Sequence, residues 1–429
     1  LQALRAMRSH ASRRKPLAMA APPPHRPRAI RWLNRLGPLL APRWPSLDPD
    51  DIIEAAARKA KSEDFGDPRF EPRLRRIVNT LEDEANLHWI GRLAVRQSLE
   101  MALQSRFGLY AYRATHPEVV GVPIDKPLFI VGFPRSGTTI LINLLAQDPA
   151  NRTPLSWEVQ FPNPPPQSAT FDTDARIKKA DKYLGQLVQM APQLPAIHEI
   201  GAELPQECMP IMAQTLLSPQ PWWVYNIPSY QKWVDQQSAA PAYTYHRHFL
   251  EHVQSGHMRE RWVLKSPIHL KTLDALLDQY PDARVIFTHR DPANTVPSVA
   301  SLMYTIGGIV TDALSPEEVG RQQLDWWADA VARTMDVRAS HPDKAEQFVD
   351  IQFEDVIADP VFALRGVYER FEMPWSDEIE RRMRAFLAEN PRGKHGAHRY
   401  ELGDFGLELG EIRQRFEHYC EAHQVQLVV

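Results

Sequence analysis

The sequence predicts an α/β fold in which a central parallel sheet is flanked by helices, with a helical extension at the N-terminal side. Two observations lead to this prediction. Short apolar segments of strand length alternate with helical patterns from about residue 127 onward, and a glycine-bounded turn joins the first of these strands to a helix. Alternation of this kind is typical of a parallel sheet, because each crossover helix returns the chain to the same edge. The 429 residues suffice for one elaborated enzyme domain.

The first 47 residues differ in composition from the rest of the chain. They contain ten Arg or Lys residues and no acidic residue, and three consecutive prolines begin at Pro22. We predict a basic, Pro-rich leader over residues 1–47 that is mobile in solution. A short amphipathic segment at Ile30, Trp32, Leu33 and Leu36 leaves open a peripheral contact with a membrane.

Residues 48–120 are predicted to form the helical N-terminal extension. Ser46 or Asp48 can cap a helix through Ala57, and a second apolar pattern of helical spacing runs from Leu74 to Leu103.

Residues 121–429 are predicted to form the α/β domain. Its strands are expected at Pro127–Phe133, Trp262–Lys265, Arg284–Thr288 and Gln347–Gln352, and its helices at Thr138–Ala146, His269–Leu277, Ala293–Leu302 and Val356–Phe371. Between the first two strands lies an insertion, residues 149–261, that is rich in Pro, Trp and Tyr. We expect this insertion to bind the substrate.

Composition excludes several classes of protein. A net charge of -3 argues against a general nucleic-acid binder, and no apolar run approaches the roughly 18 residues of a membrane span. The two cysteines, Cys208 and Cys420, fit neither a disulfide framework nor a zinc site. A reducing, cytoplasmic location is therefore expected.

The segment from Gly132 to Thr139 predicts a phosphate-binding loop. It follows a strand directly and opens a helix, so backbone N–H groups and the two threonine hydroxyls can point at one anion. Thr138 stands where a nucleoside triphosphatase has its lysine, and the positive charge lies inside the loop at Arg135. This difference argues against ATP or GTP hydrolysis in a P-loop-like fold.

A second anion site is predicted after the third strand. Arg290 ends that strand and Ser298 follows it by about two helical turns, so the pair could hold a second phosphate. Alternatively, Arg290 pairs with Asp291 and caps the next helix.

Together these segments resemble the sulfotransferases that use 3′-phosphoadenosine-5′-phosphosulfate (PAPS). Phe133–Thr139 is similar to their 5′-phosphosulfate loop, and Arg290 with Ser298 to their 3′-phosphate clamp. Trp262–Leu270 is similar to their active-site strand. The likeness is strongest to the branch of bacterial and polyketide-linked sulfotransferases, in which segments like Gly393–Tyr400 and Asp404–Leu407 also occur.

The resemblance implies PAPS as co-substrate, the desulfated product PAP (3′-phosphoadenosine-5′-phosphate), no metal, and a hydroxyl acceptor. It implies that the 5′-phosphosulfate is held by the loop residues Arg135, Ser136, Gly137, Thr138 and Thr139. Arg392 and Lys394 lie in a basic segment that matches an element of the family only loosely. This segment could close over the 3′-phosphate. The alternative is a solvated loop.

Two catalytic roles must be filled. The resemblance places the cation for the leaving group at Lys265, with Arg135 able to share that role. For the general base, His198 is the first choice, Glu203 the second and Glu207 the third. A helix with a polar face and a capping histidine would explain the same segment without catalysis.

The positions of three further histidines bear on the site. Pro267 stands where cytosolic sulfotransferases have a histidine, and His269 is expected to be structural or to line the substrate. The pair His248 and His252 has metal-ligand spacing but no accompanying glutamate motif, so packing explains it better than a metal does.

An aromatic cluster suggests either core packing or a pocket for a hydrophobic, lipid-like acceptor; its members are Trp222, Trp223, Tyr225, Tyr230 and Trp233. The alternatives to sulfuryl transfer are a kinase-like phosphotransferase and a non-catalytic module that binds PAP. The oligomeric state is not predicted.

Overall fold

The computed structural model describes residues 26–40, 45–192, 194–197, 199–391 and 400–427. Four helices precede the sheet: α1 (Arg28–Leu40), α2 (Pro49–Ala60), α3 (Phe70–Glu84) and α4 (Trp89–Thr115). Asp48 caps α2, because its side chain accepts a hydrogen bond from the Asp50 N–H at 2.8 Å. The second predicted helical pattern is divided between α3 and α4. Part of the predicted leader, α1, is a helix.

The centre of the domain is a five-stranded parallel sheet. Its strands are β1 (Leu128–Gly132), β2 (Asn151–Arg152), β3 (Arg261–Lys265), β4 (Arg284–His289) and β5 (Phe348–Gln352), and they lie in the order β2-β3-β1-β4-β5. Leu128 pairs with Val263 of β3 and with Arg284 of β4. The strands β3, β1 and β4 therefore end side by side at one edge of the sheet.

Side chains on the two faces of the sheet enter two separate cores. Phe129 and Val131 pack into the larger core, whereas Leu128 and Ile130, which alternate with them along β1, pack into the other. This alternation requires a layer on each face of the sheet. The predicted fold class, a three-layer P-loop-like arrangement with a helical extension, is confirmed.

The chain between β1 and β3 is mostly helical. After α5 (Thr138–Leu145) and β2, the insertion forms α6 (Ser156–Gln160), α7 (Ala175–Met190), α8 (Leu194–Ile197), α9 (Cys208–Ala213), α10 (Gln220–Tyr225), α11 (Pro228–Val234) and α12 (Ala240–Gln254). A 3₁₀ segment at Ser168–Thr173 lies between α6 and α7. The insertion thus folds as a set of helices, of which α7 and α12 are the longest.

The remaining helices follow β3, β4 and β5. They are α13 (Leu273–Gln279), α14 (Pro292–Gly307), α15 (Pro316–Ser340), α16 (Phe353–Ala358), α17 (Pro360–Arg370), α18 (Asp377–Glu389), α19 (Leu409–Arg415) and α20 (Glu417–Ala422). In the described part of the chain, none of these or the earlier helices combines the length and the apolarity that crossing a bilayer requires.

Two predicted helices differ from the structure. The predicted helix at His269–Leu277 starts as a 3₁₀ segment, Pro267–Thr272, and only α13 is α-helical. The predicted helix at Val356–Phe371 is two helices, because Asp359 leaves the helical conformation and caps α17 by accepting from the Val361 N–H at 3.0 Å.

Candidate active site

The turn between β1 and α5 has the backbone geometry of an anion-binding loop. Gly137, with φ at +90°, is the N-cap of α5, and a Cβ at this position would lie 2.9 Å from Val356 Cγ1. Gly132 has φ at +153°, and a Cβ there would meet Thr288 Oγ1 at 2.1 Å. Both positions therefore require glycine. Arg135 also adopts a left-handed conformation, with φ at +69° and an exposed side chain.

Ser136 braces this loop from inside. Its buried hydroxyl donates to the Phe133 carbonyl at 2.5 Å and lies 2.6 Å from Thr288 Oγ1. The Ser136 N–H also bonds the Phe133 carbonyl. These bonds tie the loop to β4, whereas Thr138 and Thr139 occupy the first turn of α5, whose N-terminal N–H groups face the loop.

Lys265 ends β3 and is almost fully buried. Its Nζ lies 2.7 Å from Glu207 Oε1 and 3.5 Å from Thr139 Oγ1. The Lys265 side chain is 3% exposed and that of Glu207 16%. The lysine thus stands between a carboxylate of the insertion and the first turn of α5, the helix that follows the predicted phosphate-binding loop.

Arg290 follows β4 and contacts the phosphate loop directly. One of its Nη atoms donates to the Arg135 carbonyl, and its Cζ lies 3.8 Å from the centroid of the Phe353 ring. Burial lowers the pKa of Arg290 from its ordinary value. Ser298 is buried in α14, the helix that follows.

The neighbouring Asp291 has partners of its own. Its carboxylate caps α14 by accepting from the Ala293 N–H at 2.9 Å, and it accepts from two nitrogens of Arg413 at 3.3 and 3.0 Å. A helix cap therefore precedes α14, as the alternative interpretation of Arg290 expects. The residue that supplies this cap is Asp291, and Arg413 pairs with the Asp291 carboxylate.

A charged network supports the end of β4 from behind. His289 Nε2 lies 2.8 Å from Asp350 Oδ1, and Arg338 binds both oxygens of Asp350 at 2.7 and 2.8 Å. The other His289 nitrogen lies 3.2 Å from the Tyr419 hydroxyl. Burial opposes ionisation of Asp350, but hydrogen bonds from Arg338 and His289 outweigh it and lower the pKa of Asp350.

The same place has a composition that metals favour. Ligand atoms of His289, Asp350 and His423 lie within 4.8 Å of one another. However, Arg338 already donates to both carboxylate oxygens, so a cation would meet a guanidinium at the site. In the part of the chain that the structure describes, these contacts connect the end of β4 with β5 and α15 and, through Tyr419, with the C-terminal helix α20.

The candidate bases have different positions. Glu203 is exposed, whereas Glu207 bonds the catalytic lysine candidate. His269 is fully buried, its Nδ1 lies 2.7 Å from the Tyr243 hydroxyl, and burial lowers its pKa well below the ordinary value. His269 is therefore a core residue. The predicted residues His198, Arg392 and Lys394 lie outside the described residues.

The histidines of α12 do not share a site. His248 Nδ1 lies 3.3 Å from the Tyr110 hydroxyl, whereas His252 Nε2 lies 3.2 Å from the Pro162 carbonyl. His246 is fully buried against the Tyr280 hydroxyl at 2.8 Å. Each histidine has a different local partner, as packing predicts.

The aromatic cluster is mostly core. Trp222, Trp223, Tyr225 and Tyr230 are buried, and the ring centroid of Trp223 lies 5.3 Å from that of Trp326. The cluster as a whole is therefore not the wall of a pocket, although one member lines the cavity described next.

An open cavity of about 270 Å³ lies between α4 and the insertion. Its lining includes Leu99, Ala102, Tyr183, Leu187, Gln206 and Tyr225. Gln206 directly precedes Glu207, whose carboxylate binds Lys265. This contribution of α4 to a cavity could not be predicted, because a helix that lines a cavity has the same apolar spacing as one that packs in a core.

Comparison with known proteins identifies the family. Residues 127–377 match the sequence profile of the sulfotransferase family. This match covers more than half of the chain, from the strand before the phosphate loop to the start of α18. The chain belongs to the sulfotransferase family.

Solved sulfotransferase structures have the same fold. Sulfotransferase STF9 from Mycobacterium avium superposes with a TM-score of 0.81 at 28% identity, over 88% of this chain and 97% of that protein. Sulfotransferase STF1 from Mycobacterium tuberculosis gives a TM-score of 0.76 at 30% identity, over 86% of this chain and 97% of that protein.

A characterised relative is also a sulfotransferase. The omega-hydroxy-beta-dihydromenaquinone-9 sulfotransferase Stf3 of Mycobacterium tuberculosis is 26% identical over 314 residues, which are 68% of this chain and 75% of that protein. The predicted family and the predicted class of enzyme are both confirmed.

Proposed function

We propose that this sulfotransferase moves a sulfuryl group from PAPS to a hydroxyl of an apolar, lipid-like acceptor. The observation that carries the proposal is the position of Lys265. Its ammonium touches Glu207 on one side and the first turn of the phosphate loop helix on the other. A cation placed between an acceptor-side carboxylate and a donor-side loop is what group transfer between the two sites needs.

The donor is proposed to bind across the carboxyl ends of β1 and β4. The loop from Phe133 to Thr139 offers backbone N–H groups for the phosphosulfate, with Thr138 and Thr139 as hydroxyl donors and Arg135 as the cation of the loop. Arg290 and Ser298 are proposed to hold the 3′-phosphate. The two anion sites are coupled, since Arg290 donates to the carbonyl of Arg135.

In the proposed reaction, the acceptor oxygen forms a bond to sulfur as the bond from sulfur to the bridging phosphate oxygen breaks. The hydroxyl proton passes to a general base, and PAP leaves with the bonding electron pair on its phosphate oxygen. Lys265 stabilises the charge that develops on that oxygen. Sulfuryl transfer by this route needs positioning and cationic groups, and no step requires a metal ion.

We propose Glu207 as the general base because, of the two candidate glutamates, it is Glu207 that contacts Lys265, whereas Glu203 is exposed. Its Oε1 can accept a proton only after the Lys265 ammonium has moved away from it. An anionic donor in the phosphate loop would attract Lys265 toward Thr139, 3.5 Å away, and so release the carboxylate. We propose that donor binding in this way frees Glu207 to take the proton of the acceptor. His198 and Glu203 remain alternative bases.

The acceptor class is inferred from the cavity and from the relative. The cavity that Gln206 lines has apolar side chains from α4 and α7, such as Leu99 and Leu187. Its polar lining consists of two serines and four glutamines: Ser98, Ser105, Gln160, Gln206, Gln214 and Gln220. The relative Stf3 is named for a hydroxylated dihydromenaquinone. We propose that this chain likewise sulfates the hydroxyl of a long apolar molecule, and that its insertion selects that molecule.

The donor site is tested by calorimetric titration with PAP and with ATP in the absence of magnesium. We expect PAP to bind at micromolar concentration and ATP much more weakly. Arg290→Ala should weaken PAP binding by about 2 kcal/mol, the scale of one charged hydrogen-bonding contact. Arg381→Ala, which removes an exposed arginine from α18, is the matched control and should bind PAP like the wild type.

Two outcomes would contradict the proposal. If a parallel titration with magnesium shows tighter binding of ATP than of PAP, the chain is a phosphotransferase. Normal PAP binding without transfer of sulfate from labelled PAPS to any of a panel of long-chain alcohols and hydroxylated quinols would indicate a binding module.

A further inference from the structure

The N-terminal helix α1 is attached to the domain by one face only. The Ile90 N–H donates to Asn34 Oδ1 at 2.9 Å, and Gly37 lies so close to the Trp89 ring that a Cβ would meet it at 2.4 Å. Just before the helix, Arg26 donates to the Thr311 carbonyl at 2.8 Å and pairs with Asp312. The residues that face the domain therefore include Asn34 and Gly37.

A second face of α1 is apolar and open to solvent. Its members recur at helical spacing and their exposed fractions are large: Trp32 60%, Leu33 45%, Leu36 44% and Leu39 77%. We call these four residues the apolar stripe. Four large apolar side chains in one stripe, rimmed by polar groups, mark an interaction site more often than a solvated surface.

A third face of α1 is positively charged. Arg28, Arg31 and Arg35 are all exposed and recur at spacings of three and four, so they form a row beside the apolar stripe. No acidic residue occurs in the sequence before Asp48. The helix thus offers an apolar stripe with an arginine row at its border and no nearby acidic side chain on the same helix.

We propose that α1 docks this enzyme on an anionic lipid bilayer, with the apolar stripe inserted among the acyl chains and the arginine row at the headgroups. Interfacial helices combine these two features, because apolar burial and attraction to anionic lipids add together. A second copy of the chain would fit less well, since apolar stripes packed face to face would bring the arginine rows together.

Helix α4 carries both the attachment of α1 and part of the cavity lining. Helix α1 packs on Trp89 and Ile90 at the start of α4, and the cavity is lined by Ser98, Leu99 and Ala102 of the same helix. At a rise of 1.5 Å per residue, the two places are about 12 to 18 Å apart. Trp89 and Ser98 are nine residues apart, which is about two and a half helical turns, so the cavity lies on the face of α4 opposite to Trp89. The proposed membrane contact is therefore independent of the cavity and of the proposed function.

The proposal is tested by sedimentation of the full chain with lipid vesicles. One set contains about 30% phosphatidylglycerol in phosphatidylcholine, and the other contains phosphatidylcholine alone. We expect the wild type to bind the anionic vesicles at least about tenfold more tightly than the neutral ones. Because binding is measured without PAPS or acceptor, a failure of the proposed function would leave this result unchanged.

Two triple variants separate the two contributions. Trp32→Ser, Leu36→Ser and Leu39→Ser together should weaken binding to anionic vesicles by about tenfold or more. Arg28→Gln, Arg31→Gln and Arg35→Gln together should reduce it toward the value for neutral vesicles.

The matched control replaces three exposed apolar residues elsewhere, with Phe362→Ser, Leu409→Ser and Leu427→Ser, and should bind like the wild type. Equal binding by the stripe variant and the wild type would overturn the proposal. So would light scattering that shows a wild-type dimer and a monomeric stripe variant without lipid, which would assign the apolar stripe to a second copy.

Discussion

The candidate site is organised around the ammonium group of Lys265. Its burial requires a partner, and Glu207 supplies one at 2.7 Å. The carboxylate therefore compensates the charge of the lysine when no donor is bound. When an anion enters the loop, it can take over this compensation.

The proposed replacement of Glu207 by the anionic donor beside Lys265 predicts the effect of Glu207→Gln. The amide keeps the shape of the side chain but cannot take a proton, so we expect kcat to fall by about 10²- to 10⁴-fold. The affinity for PAP, measured by calorimetry, should rise, because PAP then has no carboxylate to displace from the Lys265 ammonium. Glu389→Gln, at the exposed end of α18, is the control and should retain full activity.

The alternative bases give a different pattern. A large loss of kcat in His198→Asn or in Glu203→Gln, with normal turnover in Glu207→Gln, would place the base at that residue and leave Glu207 as the partner of the lysine.

The sequence predicted some of these residues and not others. Lys265 and Arg290 end strands of a parallel sheet, so their meeting at one edge follows from topology alone. The contact between Lys265 and Glu207 could not be predicted in this way, because it depends on how the 149–261 insertion folds back. The contact between the Ser136 hydroxyl and Thr288 could not be predicted from the loop motif either, because Thr288 belongs to another strand.

Among the elements, the phosphate loop depends most on a single backbone conformation. A left-handed residue costs about 1 to 2 kcal/mol when it carries a side chain, and at Gly137 a Cβ would also press on Val356. We expect Gly137→Ala to weaken PAP binding by about tenfold, from these two effects together.

The matched control for this change is Gly366→Ala. Gly366 lies in α17 with open space where a Cβ would be, so alanine there should leave PAP binding unchanged and raise stability by up to about 1 kcal/mol. Normal PAP binding by Gly137→Ala, measured beside this control, would show that the loop does not hold the donor in the conformation described.

Two element boundaries show where a local sequence signal was concealed or absent. The signal for the break between α16 and α17 is present in the sequence, since Asp359 followed by Pro360 is a typical helix start, and the longer apolar pattern concealed it. The strand β2 has only two residues, and its pairing with Arg261 and Trp262 is set by the sheet itself. A segment of that length has no periodicity to detect.

At the scale of the whole molecule, buried histidines predict a steep dependence of stability on pH. Burial lowers the pKa of His246 to about 3 and the pKa of His252, His257 and His423 each to about 4, from an ordinary value of 6.5. Between pH 6.5 and 4 the unfolded chain therefore binds protons that the folded chain does not. The free energy of unfolding should fall as the pH falls through this range.

The measurement is urea unfolding at several pH values from 8 to 4.5. Each such histidine adds a slope of up to about 1.4 kcal/mol per pH unit, so we expect an uptake of roughly three or more protons on unfolding near pH 5. Stability should be nearly constant between pH 7.5 and 8 as far as histidines are concerned. A flat profile down to pH 5 would show that these histidines are not buried as neutral groups.

The order of the strands has a consequence for synthesis on the ribosome. Both neighbours of β1 are encoded well over a hundred residues later, because Leu128 pairs with Val263 and with Arg284. At about 5 to 20 residues per second, β1 leaves the ribosome many seconds before either partner exists. During that interval its five buried residues have no sheet to enter, so the nascent chain depends on the earlier helices or on chaperones to keep them from aggregating.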